Sequence, residues 1–537
     1  MRVFNFNKAI GLASSGVEYA QKYRRELLAG LAGVEDYYVF TDYLSTNIAH
    51  LTGRLGFRPD QVLWLYHLLS GRQTVPGSVT LDAFRAWVAQ PHTLEEETPG
   101  RVLLRLTAPG TGAPEGGYYR VFLLDGAVDR VETVLSQPGE QLVTVAHYDE
   151  SLSHVEHYLD GRPVRRSFYT PAGRLAAEQV LAGQEIVQTR LTPDSPLWTA
   201  TSGRPQGHGR DGQRALAYRG DLVLDGRSAL YQFVFDALLS RPDDVVIVDR
   251  AVDVIDALYP VIGSRRLLSV VHAEHYDLKQ ADDGVLLWNN HYEHVFTRPD
   301  LVDTVVVSTR QQQARLRAQL AEAGTDIEVA WVPVGYAEGH PSASYRPHAL
   351  VTASRLASEK HLDLLVRAVA LARERLPGLS LDIYGEGQRD PLTAVIDEVG
   401  AAGYVSLRGH QELDEVLGQY GLYVTASTSE GFGLSLLEAL AQGLPIVGFD
   451  VEYGNRELVT PGRNGELVPY TGTDGDVSAL AEAIVKVVSS PELPAVRAAA
   501  LERAADFLPE RVRARWAGLL LGGGEGGVRP GAGGAPC

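Results

Sequence analysis

Hydrophobic and polar positions along the chain follow two alternating patterns. At the start, the apolar run RVFNF has the character of a strand, and the turn GLASSG (11–16) follows it. Apolar residues then recur at helical spacing, at Val17, Ala20, Tyr23, Leu27 and Leu31. A strand, a glycine-bearing turn and a helix in this order predict the opening of an α/β unit.

From about residue 100 to 200 the pattern changes to short strands separated by turn signals. Examples are RVLLRLTA, YYRVFLLDGAVDRVETVL and QLVTVAHYDE, and the turns carry LDG, PAG and PGE. This punctuation is typical of an antiparallel meander. We therefore predict an inserted β domain in this part of the chain.

The strand and helix alternation returns near residue 205, with DVVIVD and RLLSVVHAEHY, and begins a second time near residue 348 with HALVTASRL. A helix follows that places Leu362, Leu365, Val366, Val369 and Leu376 on one face, and then come the strands LSLDIYG, YVSLRG, LYVTAS and PIVGFD. Strands that alternate with helices indicate a parallel sheet covered on both faces. The predicted fold is α/β, with two doubly wound, Rossmann-like domains facing a cleft and an inserted antiparallel β-meander.

The predicted domain boundaries follow these changes of pattern. They are 1–43 with 205–345 for the N-terminal Rossmann-like domain, 44–204 for the β-rich insert, 346–505 for the C-terminal Rossmann-like domain, 506–521 for a C-terminal helix and 522–537 for a disordered Gly/Pro-rich tail.

The composition of the chain disfavours several classes of protein. The 537 residues include 67 acidic and 49 basic ones, for a formal net charge of −18, which disfavours binding to nucleic acid or to an anionic membrane. The single cysteine, Cys537, excludes an intramolecular disulfide and fits a reducing compartment. The start of the chain lacks the features of a secretory signal, and no apolar run has transmembrane length. We expect a cytoplasmic protein, in solution or peripheral at the inner face of the cell membrane.

Ligands of open α/β sheets bind beyond the carboxyl ends of the strands, so the residues that follow each strand are candidate ligand-binding residues. The amides of Gly16 and Val17 begin a helix and can hold an anion. Arg355 and Lys360 follow another strand, at a spacing that lets both reach one phosphate. The competing interpretation of Gly16 and Val17 is an ordinary strand-to-helix turn. The competing interpretation of Arg355 and Lys360 is two solvated surface cations.

Two further strand ends carry weaker signals. In YGEGQ (384–388), Gly385 and Gly387 would admit a bulky ligand against the backbone. In RGHQ (408–411), backbone amides can meet a base or a ribose edge, although a plain turn has the same pattern.

The stretch SEGFGLSLLEALAQG (429–443) places two carboxylates around a glycine-bearing turn. Glu430 precedes the amides of Gly431, Phe432 and Gly433, which a helix start leaves open for an anion such as a diphosphate. Glu438 lies further along the same helix and can accept bonds from a diol. The alternative interpretation of Glu430 is a glutamate at a helix start that the helix dipole favours. The alternative interpretation of Glu438 is a residue on a solvated helix face. The apolar neighbours of Glu438 make an idle carboxylate costly there.

These motifs carry a resemblance to a known family. EGFGLSLLE is similar to the E-x7-E motif of retaining, two-Rossmann (GT-B) glycosyltransferases of family 4, and SRLASEKHLD resembles the Arg/Lys diphosphate clamp of that family. The start IGLASSGVEYAQKYR, the inserted meander and VVHAEHY (270–276) resemble the catalytic subunit of bacterial transferases that put GlcNAc on serine-rich adhesins. The narrower resemblance covers nearly the whole chain outside the Gly-rich tail.

The resemblance implies a UDP-sugar donor, with the C-terminal domain holding the nucleotide sugar and the N-terminal domain on the acceptor side. It assigns UDP contacts to Gly16, Val17, Glu18, Tyr19, His410, Gln411 and Glu438. It assigns the catalytic and sugar-binding roles to Arg355, Lys360, His272, Glu430, Gly431, Phe432 and Gly433.

The same resemblance implies front-face substitution with retention, in which the leaving phosphate helps to take the acceptor's proton and no protein nucleophile is needed. We expect no metal and no cofactor. The only Asp-x-Asp, Asp474 to Asp476, lies in a polar loop away from the proposed donor site.

Two alternatives remain open at this point. Related transferases with a similar insert glycosylate teichoic acid, a polyanion that a chain of net charge −18 matches poorly unless one face is locally basic. The basic stretch GRPVRRSF (161–168) is a candidate for such a face, but a solvated strand edge is the favoured interpretation of it. The adhesin transferases also have a paralogous, non-catalytic subunit that binds the acceptor. The presence of Arg355, Lys360, Glu430 and Glu438 favours the catalytic role. We expect a Ser/Thr-rich acceptor protein and a stabilising paralogous subunit, with the insert as the contact region.

Overall fold

The computed structural model describes residues 1–11, 16–107, 114–136, 139–201, 216–218, 220–249, 252–277, 286–339, 341–342, 344–413 and 416–522. The predicted tail beyond residue 522, part of the GLASSG turn and the whole segment 202–215 therefore lie outside the described residues. The chain forms two compact units, one comprising residues 1–18 and 33–268 and the other residues 19–32 and 269–522.

The strands of the described residues are numbered in chain order. They are β1 (Arg2–Asn7), β2 (Glu35–Phe40), β3 (Val62–Trp64), β4 (His92–Thr98), β5 (Arg101–Thr107), β6 (Pro114–Leu124), β7 (Ala127–Leu135), β8 (Gln141–Tyr148), β9 (Leu152–Leu159), β10 (Arg162–Tyr169), β11 (Leu175–Ala182), β12 (Glu185–Leu191), β13 (Leu216–Tyr218), β14 (Asp221–Asp225), β15 (Val245–Asp249), β16 (Arg266–Val271), β17 (Thr304–Val307), β18 (Glu328–Trp331), β19 (Arg346–Ala353), β20 (Ser380–Tyr384), β21 (Val405–Gly409), β22 (Tyr420–Val424), β23 (Ile446–Phe449) and β24 (Gly465–Val468).

The α-helices of the same residues are numbered likewise. They are α1 (Gly16–Leu28), α2 (Ile48–Arg54), α3 (Leu65–Ser70), α4 (Leu81–Trp87), α5 (Pro196–Thr201), α6 (Gly226–Leu238), α7 (Val252–Leu258), α8 (Glu293–Phe296), α9 (Arg310–Glu322), α10 (Leu362–Arg375), α11 (Arg389–Glu398), α12 (Leu434–Ala441), α13 (Gly454–Leu458), α14 (Gly475–Val488), α15 (Leu493–Ala504) and α16 (Pro509–Leu521).

In the first unit, β15, β1, β2 and β3 pair in that order, and every pair is parallel. All five residues of β15 are buried, as expected for a parallel strand with both faces covered. The predicted α/β opening is confirmed by these parallel pairs.

The same unit contains an antiparallel sheet of eleven strands in the order β13-β14-β12-β11-β10-β9-β8-β7-β6-β5-β4. Two of its hairpins turn on Asp125–Gly126 and Asp160–Gly161, with positive φ at both residues. This is the type I′ turn, whose twist matches that of the flanking strands. The predicted meander is confirmed.

The observed strands and the predicted insert do not share the same limits. The antiparallel strands extend from His92 to Asp225, whereas the insert is predicted over 44–204. Within the predicted range, β3 pairs in parallel with β2. The boundaries of the insert as a domain stay a prediction.

One interpretation of the basic stretch GRPVRRSF is wrong. The stretch forms β10, which pairs with β9 on one side and β11 on the other, so it is not a strand edge. Arg166 is buried, and Arg165 forms an ion pair with Glu178 at 3.3 Å. One of the three arginines of the stretch is therefore enclosed by the sheet, whereas Arg162 and Arg165 stay exposed.

The second unit contains a parallel sheet of six strands in the order β21-β20-β19-β22-β23-β24. Helix α10 buries Leu362, Leu365, Val366 and Val369 against this sheet, as the helical spacing predicts, and Leu376 lies just past the helix end and is partly buried. The strand ends of this sheet carry the loops that hold most of the candidate site. No helix in the described ranges is long and apolar enough to cross a bilayer.

Candidate functional site

Lys360 and Glu430 are brought together in the second unit, although 70 residues separate them in the chain. Lys360 lies in the loop that follows β19, and Glu430 lies in the loop between β22 and α12. The Lys360 Nζ is 2.5 Å from Oε1 of Glu430, and each side chain is 15% exposed. The pair is therefore reachable from solvent while most of each side chain is covered.

Arg355, the other half of the predicted clamp, lies in the same loop as Lys360 but is far more open. Its side chain is 68% exposed, and it donates a hydrogen bond of 2.8 Å to Glu359. An exposed guanidinium held by one surface carboxylate can turn toward an anionic ligand at little cost. A single loop thus carries one largely covered cation, Lys360, and one largely exposed cation, Arg355.

The glycines of YGEGQ have a different role from the predicted one. A Cβ on Gly385 would lie 1.8 Å from the carbonyl oxygen of Ser354, and one on Gly387 would lie 2.5 Å from that of Leu356. Both glycines also have φ in the region that side chains rarely adopt. The space that was predicted for a ligand is filled by the 354–356 loop, so these glycines position the loop that carries Arg355.

The backbone around Glu430 is fixed by a neighbouring loop. The carbonyl of Glu430 accepts hydrogen bonds from the amides of Tyr453 and Gly454, both at 2.8 Å. A Cβ on Gly431 would lie 2.2 Å from the carbonyl oxygen of His272. Glycine at this position therefore lets the Glu430 loop contact the turn that follows β16.

His272 lies in that turn, directly after β16. Its amide donates a hydrogen bond of 2.9 Å to the hydroxyl of Tyr292, a residue that is 1% exposed. The backbone of His272 is thus anchored to the core while the residue itself is only partly buried. We name Arg355, Lys360, Glu430, Gly431 and His272 the strand-end site.

Two residues of the EGFG turn serve the fold as well as the candidate site. Phe432 is 4% exposed, and its ring packs edge-on against Phe507, with centroids 5.6 Å apart. Gly433 has φ of 85° and precedes α12, where its carbonyl accepts the amides of Leu436 and Leu437. Any contact of Phe432 with a ligand would involve its backbone, since the ring is in the core.

Glu438 on α12 has a partner that the sequence pattern does not predict. The hydroxyl of Tyr23, on α1, donates a hydrogen bond of 3.0 Å to Oε1 of Glu438. The Tyr23 ring packs edge-on against Tyr336, whose hydroxyl donates to Glu26 at 2.6 Å. Tyr23 was predicted only as part of the apolar helix face, because a tyrosine at helical spacing gives no sign of its hydroxyl partner.

The remaining predicted residues lie at their strand or helix ends. His410 and Gln411 follow β21 and are exposed. Gly16, Val17 and Glu18 begin α1 and belong to the first unit, and Tyr19 follows them in the second. Oε1 of Glu18 accepts the amide of Gly11 at 2.8 Å, so this carboxylate connects the first turn of α1 to Gly11.

Asp476, half of the only Asp-x-Asp, has a structural explanation. Its carboxylate accepts the backbone amides of Thr471, Gly472 and Thr473 and the hydroxyl of Thr471. Several donors to the charged form hold the pKa of Asp476 below its usual value, against the effect of burial. Among the described residues, no three His, Cys, Asp or Glu side chains are grouped so as to hold a metal ion.

The first unit also contains a group of polar side chains that no sequence motif predicts. We name this group the histidine cluster, and its members are Tyr43, His147, His154, Glu156 and Arg166. The Tyr43 hydroxyl is 2.8 Å from Nε2 of His154, the two imidazole rings stack with centroids 4.2 Å apart, and Arg166 donates to Glu156 at 3.1 Å. Burial, followed by the neighbouring imidazole of His147, holds the pKa of His154 well below its usual value.

Comparisons with known proteins define the class. Residues 347–490 match the family model of glycosyl transferases group 1. The structure of the pneumococcal O-GlcNAc transferase GtfA in complex with UDP and GlcNAc matches with a TM-score of 0.85 and 31% identity, over 97% of this chain and 98% of that one. The fold is that of a GT-B glycosyltransferase, and the protein is a UDP-sugar-dependent glycosyltransferase.

The whole-chain relatives give the family. The chain is 34% identical, over 97% of its length and 98% of the relative's, to the GtfA subunit of the UDP-N-acetylglucosamine–peptide N-acetylglucosaminyltransferase of Streptococcus gordonii. It also matches a chain in the crystal structure of a GtfA/B complex, with a TM-score of 0.82 and 32% identity over 97% of this chain and 99% of that one. The protein belongs to the family of GtfA subunits of these bacterial peptide N-acetylglucosaminyltransferases.

Proposed function

We propose that this protein transfers GlcNAc from UDP-GlcNAc to Ser and Thr hydroxyls of a bacterial surface protein, with retention of the anomeric configuration. The observation that carries the proposal is the Lys360–Glu430 pair, in a chain that is related over 97% of its length to a GtfA subunit. The pair combines a cation for the diphosphate with a carboxylate for sugar hydroxyls.

The site chemistry follows from the charges of the strand-end site. Breaking the bond between sugar and diphosphate places growing negative charge on the leaving phosphate. Cations positioned for that charge stabilise the transition state more than the ground state, which is how they raise the rate. We assign this role to Lys360 and Arg355, and we assign the sugar hydroxyls to Glu430 with the amides of Gly431 to Gly433.

The remaining predicted roles belong to the same proposal. His272 contacts the donor sugar, Glu438 contacts the ribose, and the Gly16–Tyr19 and His410–Gln411 segments contact UDP. The hydroxyl of Tyr23 donates to Oε1 of Glu438, which orients this carboxylate on α12.

We also propose that the reaction needs no metal. The Arg and Lys side chains supply the positive charge that a divalent cation supplies to the diphosphate in metal-dependent transferases. The structural bonds of Asp476 support the proposal, because they leave that carboxylate committed to the fold.

The proposal includes a partner subunit and a cytoplasmic location. A solved structure of a GtfA/B complex contains a chain similar to this one, which supports a paralogous subunit as the partner. The near absence of cysteine favours a reducing compartment. A teichoic acid acceptor is less favoured, because the basic stretch that suggested it forms a central strand with Arg166 buried.

The test is UDP release by the purified full chain with a panel of UDP-sugars, with and without a Ser/Thr-rich peptide and a paralogous subunit. We expect peptide-dependent release with UDP-GlcNAc, and loss of that release in Glu430→Gln. Glu398→Gln, on the surface of the same unit, is the control and should match the wild type. Turnover only with a polyol-phosphate acceptor would favour the teichoic acid hypothesis, and no turnover under any condition would favour a non-catalytic binding subunit.

A further inference from the structure

Tyr423 lies near the end of β22, in the parallel sheet of the second unit, and no motif gives it a role. The residue is 1% exposed. Its hydroxyl accepts the amide of Ala353 at 3.1 Å and lies 3.0 Å from the carbonyl oxygen of Ala353 and 2.9 Å from Oγ of Ser435. The phenolic proton serves the carbonyl, and the hydroxyl of Ser435 can supply the proton of the third bond, so the three bonds are compatible.

The two partners of this hydroxyl belong to the two loops that carry the charges of the strand-end site. Ala353 ends β19, and the next residues, 354–360, form what we name the cation loop, with Arg355 and Lys360. Ser435 lies in the first turn of α12, five residues after Glu430. One buried hydroxyl therefore connects the start of the cation loop to the helix that follows the EGFG turn.

The end of β19 is held differently on its two sides. Towards β20, the amide of Ser354 donates to the carbonyl of Tyr384 at 3.0 Å, which is an ordinary backbone bond. Towards β22, the pairing of the strands ends where Val351 lies opposite Tyr423. Beyond that point the side chain of Tyr423 bonds both the amide and the carbonyl of Ala353. Since buried backbone groups without a partner are costly, the hydroxyl replaces a strand at this position.

We propose that Tyr423 is a positioning residue for the transfer reaction: its hydroxyl holds Ala353 to Ser435 and thereby fixes the cation loop relative to the EGFG turn. The catalytic consequence rests on the proposed function, whereas the structural part concerns the ligand-free protein and is measured without turnover. Burial raises the pKa of Tyr423 to about 12, so the hydroxyl keeps its proton at neutral pH and remains a donor.

The kinetic test compares Tyr423→Phe with Tyr420→Phe. Tyr420 is the matched control, because it lies on the same strand, is also 1% exposed and donates its hydroxyl to Asp382 at 2.7 Å. Tyr423→Phe should lower kcat with UDP-GlcNAc roughly tenfold and change KM less, because misplaced cations act mainly on charge that develops during the reaction. Tyr420→Phe should keep the wild-type kcat. In denaturant unfolding it should lose at least as much stability, since it loses a bond to a carboxylate.

The Ser435 side tests the bridge itself. Ser435→Ala should reproduce part of the loss of kcat, and Ser435→Thr, which keeps a hydroxyl, should restore it. The double variant Tyr423→Phe/Ser435→Ala should be no slower than Tyr423→Phe alone, because both changes break the same connection. Fully additive effects, a Ser435→Thr variant as slow as Ser435→Ala, or equal kcat in Tyr423→Phe and Tyr420→Phe would each overturn the inference.

The second readout is hydrogen exchange of the ligand-free full chain. Amides of the segment 353–360 should exchange faster in Tyr423→Phe and also in Ser435→Ala, although Ser435 lies outside that segment. Tyr420→Phe should leave the exchange of the segment at the wild-type rate. Unchanged exchange of 353–360 in Tyr423→Phe and Ser435→Ala would contradict the proposal. If the wild type turns over no UDP-sugar, the proposed function fails, and the exchange measurement still decides whether Tyr423 joins the two loops.

Discussion

The strand-end site and the histidine cluster contain similar side chains in opposite surroundings. Lys360 and Glu430 are each 15% exposed, and the nearby Arg355 is 68% exposed. In the histidine cluster, the side chains of Arg166 and Glu156 are 3% and 5% exposed. One region keeps its charges within reach of a ligand, and the other encloses them.

The difference shows that a group of titratable residues does not by itself identify an active site. In the histidine cluster, Arg166 lies over the Tyr43 ring at 3.5 Å and pairs with Glu156, so each charge has a partner inside the protein. Such a network connects strands and contributes to a specific fold. At the strand-end site, glycines bring the loops together and leave the cations at the surface.

The largest expected effect is on stability, in the histidine cluster. Arg166→Met leaves Glu156 buried without its cation, which should lower the free energy of unfolding by about 3–5 kcal/mol. The neighbouring Arg165 is the matched control, because its pair with Glu178 is at the surface and Arg165→Met should cost less than about 1 kcal/mol. Denaturant unfolding of both full-length variants measures the difference. Equal shifts for the two variants would show that burial does not distinguish these arginines.

The next effect is on activity, at the strand-end site. Lys360→Ala removes the partly covered cation and should lower kcat about 10²–10³-fold, the usual cost of losing one electrostatic contact to developing charge. Lys486→Ala is the matched control, since Lys486 also pairs with a glutamate, Glu466, at 2.6 Å but on the surface of α14. UDP release measures both. The comparison between the regions would fail if the two lysine variants kept the same activity.

The smallest effect separates a supporting contact from the site itself. Tyr23→Phe removes the hydroxyl that holds Glu438 and should raise KM for the UDP-sugar about fivefold, equivalent to one hydrogen bond of about 1 kcal/mol. Tyr336→Phe is the control, because it removes a hydroxyl from the same ring pair but from a bond to Glu26. An unchanged KM in Tyr23→Phe would mean that Glu438 keeps its position without this bond.

Most of the architecture could be predicted because periodicity reports burial directly. The parallel strands, the meander and the buried face of α10 all follow from apolar spacing. The extent of the antiparallel sheet could not, since β14 and β3 carry strand patterns that do not reveal whether their neighbours are parallel or antiparallel. Pairing is decided by contacts between residues distant in the chain.

The candidate site was predictable in its residue types and less so in its contacts. Lys360 and Glu430 follow from strand-end position and motif. The glycine pattern at Gly385 and Gly387 indicates only that something approaches the backbone closely, and here that is another loop. The contact of the Tyr23 hydroxyl with Glu438 could not be predicted, because one hydrogen bond between distant residues leaves no periodic signal.

The pairing of β1 with β15 has a consequence for how the chain folds. Val3 lies opposite Val245, so the first parallel sheet cannot close until the intervening chain has been made. The antiparallel sheet between them is built largely from consecutive hairpins, whose local contacts form quickly. Once the antiparallel sheet has folded, the loop that must close between β1 and β15 is effectively shorter. The entropic part of the free energy of closure then falls by about 0.6 kcal/mol for each halving of the loop length. The insert is thus expected to fold during synthesis, before the domain that it interrupts.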